Sequence, residues 1–263
     1  MKLETKTVEK VWGRCDLPEP FTVPGKEPIG EIWFEPPSSL SDILVKYLFT
    51  SEKLSVQVHP SDDQAPTGEA GKEECWLILH ADADAKLAIG FKKPVSEDEM
   101  KAAALDGSIE DLLEWHAAQS GDFFYLPAGT VHAIGPGLTL VEVQQNSDIT
   151  YRLYDYGRPR ELHLDDGLKV AKGEPYPARL HRKTDKSASE VLVDGPHFRF
   201  SQCRGAPQGD LARLHTGPVL VLPLEGEIMI GDDVITAGEC GEAESLDSVG
   251  FQSALRTLLV SGA

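Results

Sequence analysis

Asp42-Ile43-Leu44-Val45-Lys46-Tyr47-Leu48-Phe49, then Thr50-Ser51-Glu52-Lys53, then Leu54-Ser55-Val56-Gln57-Val58-His59-Pro60, reads as two apolar, β-branched runs separated by a polar turn, the pattern of consecutive strands. In the second run the period of two puts Ser55, Gln57 and His59 on one face and Leu54, Val56 and Val58 on the other. One face is therefore polar and the other belongs to a core, and Pro60 ends the strand. Similar strand signals recur at 75–79, 85–91, 122–126, 138–144 and 149–154. Between them lies one helical excursion, 96–119. Ser96 with Glu99 makes a capping box for a helix over 97–105, Asp106-Gly107 breaks it, and Ser108 can cap a second helix through about Ala118 with Leu112, Leu113 and Trp115 as its buried stripe.

After about residue 180 a polar stretch, His181-Arg182-Lys183-Thr184-Asp185-Lys186-Ser187-Ala188-Ser189, reads as a linker. Further strands follow at 218–222, 225–230 and 255–260. Many short strands with Gly and Pro turns, and no alternating βαβ pattern, predict a mainly β protein. The expected architecture is two jelly-roll β-barrels, the first (1–180) carrying the helical insert and the second (181–263) smaller and metal-free.

At 263 residues the chain can bury a large core. No run approaches the ~20 apolar residues of a membrane helix, and the N-terminus lacks a signal-peptide pattern; the expected location is the cytoplasm. Cys15, Cys75, Cys203 and Cys240 are scattered, which predicts reduced thiols rather than a disulfide or thiolate-metal framework. The net charge of −18 argues against nucleic acid or an anionic membrane as partner. An anionic substrate would need cations concentrated at its site, because the global field repels it.

The chemistry-bearing residues are Gln57, His59, Glu74 and His132, which could offer one amide oxygen, two imidazoles and one carboxylate to a borderline divalent ion such as zinc. A lone histidine is more often a surface or hydrogen-bonded core residue, but His59 shares its polar face with Gln57. His132 follows Pro127-Ala128-Gly129, a tight turn that sets it at the start of a returning strand.

The spacing from Gly121 to His132 resembles the second motif of the cupin superfamily, with Pro136 where many cupins carry asparagine. The first cupin motif is altered: Gln57 replaces its first histidine, and the gap to Glu74 is long. With these departures, Leu54 to Pro60, Gly71-Lys72-Glu73-Glu74-Cys75-Trp76, Gly121 to His132, and Gln144-Gln145-Asn146-Ser147 through Tyr156 resemble the short bacterial form of the type I mannose-6-phosphate isomerases. Val11-Trp12-Gly13, Gly30-Glu31-Ile32-Trp33 and Leu44-Val45-Lys46 agree more weakly, and the similarity covers about residues 8 to 172.

The resemblance implies two cupin-like barrels and a zinc-dependent aldose–ketose isomerase interconverting mannose 6-phosphate and fructose 6-phosphate through an enediol. It implies one Zn2+ per chain held by His59, Glu74, His132 and Gln57, with Arg152 catalytic and Lys72 in the same site. Ser55 and Arg158 match places where the family contacts phosphate, although Arg158 could equally form a surface salt bridge. Lys46 and Trp33 read more naturally as barrel wall. The general base is open among Glu142, Lys72, Glu31 and a metal-bound water. The expected partner is a small-molecule sugar phosphate, with the chain a monomer or homodimer. The competing readings are a metal cupin isomerase of another phosphosugar and a non-catalytic sugar-phosphate-binding cupin.

Overall fold

The computed structural model describes residues 1–23 and 25–263. Twelve strands build its N-terminal part: β1 (Thr5–Arg14), β2 (Ile29–Phe34), β3 (Ile43–Phe49), β4 (Val56–Val58), β5 (Glu74–Ala81), β6 (Lys86–Phe91), β7 (Leu113–Ala117), β8 (Asp122–Leu126), β9 (His132–Ile134), β10 (Leu138–Gln145), β11 (Tyr151–Tyr154) and β12 (His181–Lys183). They form a seven-stranded sheet ordered β1-β2-β3-β10-β5-β8-β12 and a five-stranded sheet ordered β11-β4-β9-β6-β7. The two sheets face each other across one apolar cluster, in which Trp76 and Phe124 of the larger sheet meet Leu87, Ile89 and Ile134 of the smaller. This is the packing expected of a jelly roll.

Every residue of β3 is buried because the larger sheet is covered on both faces. Leu48 turns toward the smaller sheet. Val45, Tyr47 and Phe49 turn the other way, into a cluster with Leu220, Leu222, Leu258 and Val260 of the C-terminal part. There the strands β13 (Glu190–Asp194), β14 (Phe198–Cys203), β15 (Val219–Ile230), β16 (Asp233–Thr236) and β19 (Ala254–Gly262) form a sheet ordered β13-β14-β19-β15-β16, with β17 (Gly241–Ala243) and β18 (Val249–Gly250) also paired to β15. The chain is mainly β, as its strand patterns predict.

The helical insert differs from its sequence reading. The first helix, α1 (Glu97–Asp106), begins where Ser96 Oγ accepts the Glu99 amide at 3.2 Å and ends at left-handed Gly107, φ 86°. The second, α2, spans only Ile109–Leu112, and from Leu113 the chain continues as β7 rather than as helix to Ala118. The unpaired edge of β6 takes Leu113 to Ala117 as a partner, and that ladder outweighs the local preference for helix. With α3 (Leu164–Val170), α1 covers the outer face of the smaller sheet: Met100, Ala103, Ala104, Leu168 and Val170 pack on Val56, Val58, Val131 and Leu153. Leu54, expected beside Val56 and Val58, instead lies on the inter-sheet side, because regular strand starts only at Val56. His181–Lys183 also pairs with β8 as the last strand of the larger sheet, so the polar stretch begins as β structure.

Candidate metal centre and cleft

Strand register assembles the site from two rows of side chains. Across the smaller sheet, Arg152 on β11 pairs with Gln57 on β4, and Gln57 pairs with His132 on β9. Across the larger sheet, Trp33 on β2 pairs with Lys46 on β3, Lys46 with Glu142 on β10, and Glu142 with Trp76 on β5. Residues of both rows line a cleft of about 480 Å³.

At one end His59, Glu74 and His132 converge with ligand atoms within 4.8 Å of one another, all three residues buried. Glu74 Oε2 lies 3.5 Å from His59 Nε2, and Oε1 lies 3.3 Å from His132 Nε2. Each imidazole is oriented from behind: the Nδ1 of His59 is 2.8 Å from the Ile149 carbonyl, and that of His132 is 2.9 Å from the Thr130 carbonyl. Donation to those carbonyls puts the proton on Nδ1 and leaves the Nε2 lone pairs aimed at the shared point, the arrangement that metal-binding histidines use.

The electrostatics agree. Burial holds His59 well below its ordinary pKa, and it pushes His132 down to about 4. Both rings are therefore neutral at pH 7, and their contacts with Glu74 are not ion pairs. Burial, then the Glu142 charge, pushes Glu74 up to about 8 against the pull of Lys72 and Lys46. Among the described residues, neither oxygen of Glu74 nor Nε2 of His59 has a hydrogen-bond partner. Orphaned buried atoms are costly. A divalent cation would satisfy all three and supply the positive charge that keeps the Glu74 carboxylate ionised, so the residues fit such an ion.

Gln57 borders this point with its amide nitrogen, 3.2 Å from His132 Nε2, while its Oε1 accepts from the Ser55 hydroxyl at 3.1 Å. Turned over, the amide would present oxygen as a fourth donor. Lys72 Nζ is 3.8 Å from Glu74 Oε2 and is itself buried.

Ser55, Gln57, Lys72, Glu142 and Arg152 all line the cleft. Glu142 is engaged there on both oxygens, 2.8 Å from Lys46 Nζ and accepting from Trp76 Nε1 at 2.9 Å. Lys46, buried, loses stability as a cation through desolvation but regains more from Glu142 and Glu31, so its pKa rises. Lys46 and Trp33, read from sequence as barrel wall, are thus part of the cleft surface. Their signal was a lysine amid a fully apolar strand, which can be buried only with a carboxylate facing it.

Arg158 is not brought into the cleft. It donates to Glu52 at 3.0 Å and to the Lys53 carbonyl at 2.8 Å, lies 3.2 Å from Asp155, and stacks over Tyr156. Arg160, two residues on, lines the cleft instead, with Nε and Nη2 forked onto Asp155 at 2.6 Å each. Lys10 and His163 also line it and were not singled out by sequence. Lys10 directly precedes the weakly matching Val11-Trp12-Gly13 and His163 lies within no quoted motif; strand pairing and the return after β11 bring them there. Lys10, Lys46, Lys72, Arg152 and Arg160 stand against Glu31, Glu142 and Asp148 on the cleft wall, a local excess of cations in a chain of net charge −18.

No family model matches the chain. It is 36% identical over 216 residues to the mannose-6-phosphate isomerase of Streptococcus mutans, a match covering 76% of this chain and 67% of that protein. It is 40% identical over 168 residues to a mannose-6-phosphate isomerase of Bacillus subtilis, covering 59% of this chain and 53% of the relative. In that second match the chain spans about half the relative's length. Among solved structures, a mannose 6-phosphate isomerase from Bacillus subtilis superposes with a TM-score of 0.76 at 23% identity, covering 99% of this chain and 98% of that one. A zinc-bound mannose 6-phosphate isomerase superposes with a TM-score of 0.71 at 16% identity over 99% of this chain and 98% of its own. At such identities these two show a shared fold.

Proposed function

Because the chain belongs to the mannose-6-phosphate isomerase family, we propose that it interconverts mannose 6-phosphate and fructose 6-phosphate. The observation that carries this reading is the buried His59, Glu74 and His132 triad with orphaned donor atoms, set beside a cleft enriched in cations.

His59, Glu74 and His132, with Gln57 after an amide turn, would hold one zinc ion per chain. Two imidazoles, a carboxylate and an amide oxygen suit that ion. When bound, it supplies a Lewis acid that polarises substrate oxygens. The remaining steps belong to the chain. Moving a proton between C1 and C2 leaves negative charge on the carbonyl oxygen in the enediol-like state. Arg152, charged at any working pH, answers that charge from the row beside Gln57. Lys72 and Glu142 are the titratable side chains proposed to exchange the proton. Burial and the Lys46 charge lower the pKa of Lys72, partly offset by Glu74, which favours proton exchange by that amine. Trp33 and Trp76 make apolar wall and exclude water. For the phosphate we propose Ser55 together with Arg160, since Arg160 lines the cleft and Arg158 does not.

A coupled assay with mannose 6-phosphate, run before and after chelation and with zinc restored, tests the proposal. The expected result is turnover that disappears on chelation and returns with zinc. Zinc-loaded protein that forms no fructose 6-phosphate would sink it, and glucose 6-phosphate in parallel distinguishes an isomerase of another phosphosugar.

A further inference from the structure

Gln144-Gln145-Asn146-Ser147, whose first two residues end β10, is absorbed by none of the chemistry above, yet Gln145 bonds to both ends of the loop between His59 and Glu74. Gln145 is 7% exposed. Its Oε1 accepts the Glu73 amide at 2.9 Å, its Nε2 donates to Asp62 Oδ1 at 2.9 Å, and its own amide donates to the Glu73 carbonyl at 3.0 Å. Glu73 lies between Lys72 and Glu74, whereas Asp62 follows His59 by three residues, so one amide group ties the two ends of the intervening loop together.

The loop neck is closed further. Asp62 Oδ1 also accepts the Gly71 amide at 2.7 Å, and the Lys72 amide donates to the Pro60 carbonyl at 2.9 Å. A side chain at Gly71 would begin 2.5 Å from the Asp62 nitrogen, so the two strands of the neck are in direct contact. Two residues beyond Gln145, the Ser147 hydroxyl donates to the Ala70 carbonyl at 2.9 Å, and at Ile149 the carbonyl orients His59. From outside, His197 of the C-terminal part stands 3.7 Å from Asp62 Oδ2.

We propose that Gln145 and Asp62 form a clasp whose donor–acceptor pairing positions Glu74 and Lys72 for the metal ion and substrate. Both are positioning residues: neither offers a ligand to the triad, and both act through the backbone that carries Lys72 and Glu74. The inference rests on the metal-site reading above and adds the loop closure as what sets the strength of that site. Residues one step behind metal ligands typically change affinity by about 10- to 100-fold when removed.

The test is a donor–acceptor swap. Gln145→Glu places a carboxylate opposite Asp62 and breaks the pairing; adding Asp62→Asn reverses donor and acceptor while keeping an oxygen for the Gly71 amide. Zinc affinity by chelator competition and the thermal midpoint of the metal-free protein are measured for each. Gln145→Glu is expected to bind zinc about tenfold or more weakly and to lose kcat more than KM. The double variant should recover most of the affinity. Asp62→Ala, at a side chain 52% exposed and so tolerant of change, should weaken zinc several-fold without needing a drastic core alteration. Wild-type zinc affinity in both Gln145→Glu and Asp62→Ala, or no recovery in the swap, overturns the clasp. Wild-type protein that retains no zinc instead overturns the metal-site reading on which the clasp rests.

Discussion

At the scale of single residues, the proposed function divides the site into groups that would hold an ion and groups that would act on charge. His132 belongs to the first set, with Nε2 3.3 Å from Glu74 and its ring fixed by the Thr130 carbonyl. Arg152 belongs to the second, since its guanidinium donates to the Glu161 carbonyl at 2.7 Å and lines the cleft without approaching the triad as a ligand. His132→Ala is therefore expected to abolish both zinc retention and turnover. Arg152→Ala should retain the metal and lose on the order of 10²–10³ in kcat. Metal content by atomic absorption beside the coupled assay separates the two, and equal metal loss in both variants would contradict the division of roles. The triad was legible in sequence through the motifs around His59, Glu74 and His132, since one carboxylate among 43 acidic residues does not stand out by type. The Lys46 to Glu142 pair was not, since each is unremarkable until β3 and β10 are known to be neighbours in the matching register.

At the scale of elements, the turn from β8 to β9 decides where His132 stands. Gly129 adopts φ +84°, and a Cβ there would lie 2.8 Å from the Val170 carbonyl. Its amide also donates to the His59 carbonyl at 2.8 Å, tying the two histidine-bearing segments together. Gly129→Ala is expected to cost more than about 1 kcal/mol, because alanine is strained at positive φ even before the clash. It should also shrink the rise in thermal midpoint produced by saturating zinc. Melting curves with and without zinc check this; an undiminished rise would show that His132 does not depend on the turn. This glycine could be read from Pro127-Ala128-Gly129, as α1 could from Ser96 and Glu99. The shift from helix to strand at Leu113 could not, because the partner that extends it, β6, lies in a different part of the chain.

At the scale of the whole molecule, the C-terminal part covers the outer face of the seven-stranded sheet and contributes its own buried histidine. His215 lies between the hydroxyls of Ser201 and Ser261 at 2.7 and 2.8 Å. Burial, then the Arg199 charge, pushes its pKa down to about 4. The unfolded chain takes up a proton near the ordinary value of 6.5 while the folded chain resists it. The stabilising contribution is thus complete above about pH 6.5 and is lost progressively as the pH falls toward 4. Urea unfolding across that window is expected to show a loss of up to about 3 kcal/mol from this group, with a shallower slope in His215→Gln. The same slope in both proteins would assign the loss elsewhere. By itself the sequence determined the alternation of faces within β4, the Ser96 cap, the Gly129 turn, the donor types and the acidity of the chain, all properties of residues close together along the backbone; Leu54 and Ser108, read the same way, do not take the expected face and cap. Only the tertiary structure decided that β10 lies between β3 and β5, that Arg160 rather than Arg158 reaches the cleft, and that Gln145 closes the loop beneath Glu74. Those outcomes depend on pairings between distant segments, where the surface buried by the whole assembly, and not local preference, selects the register.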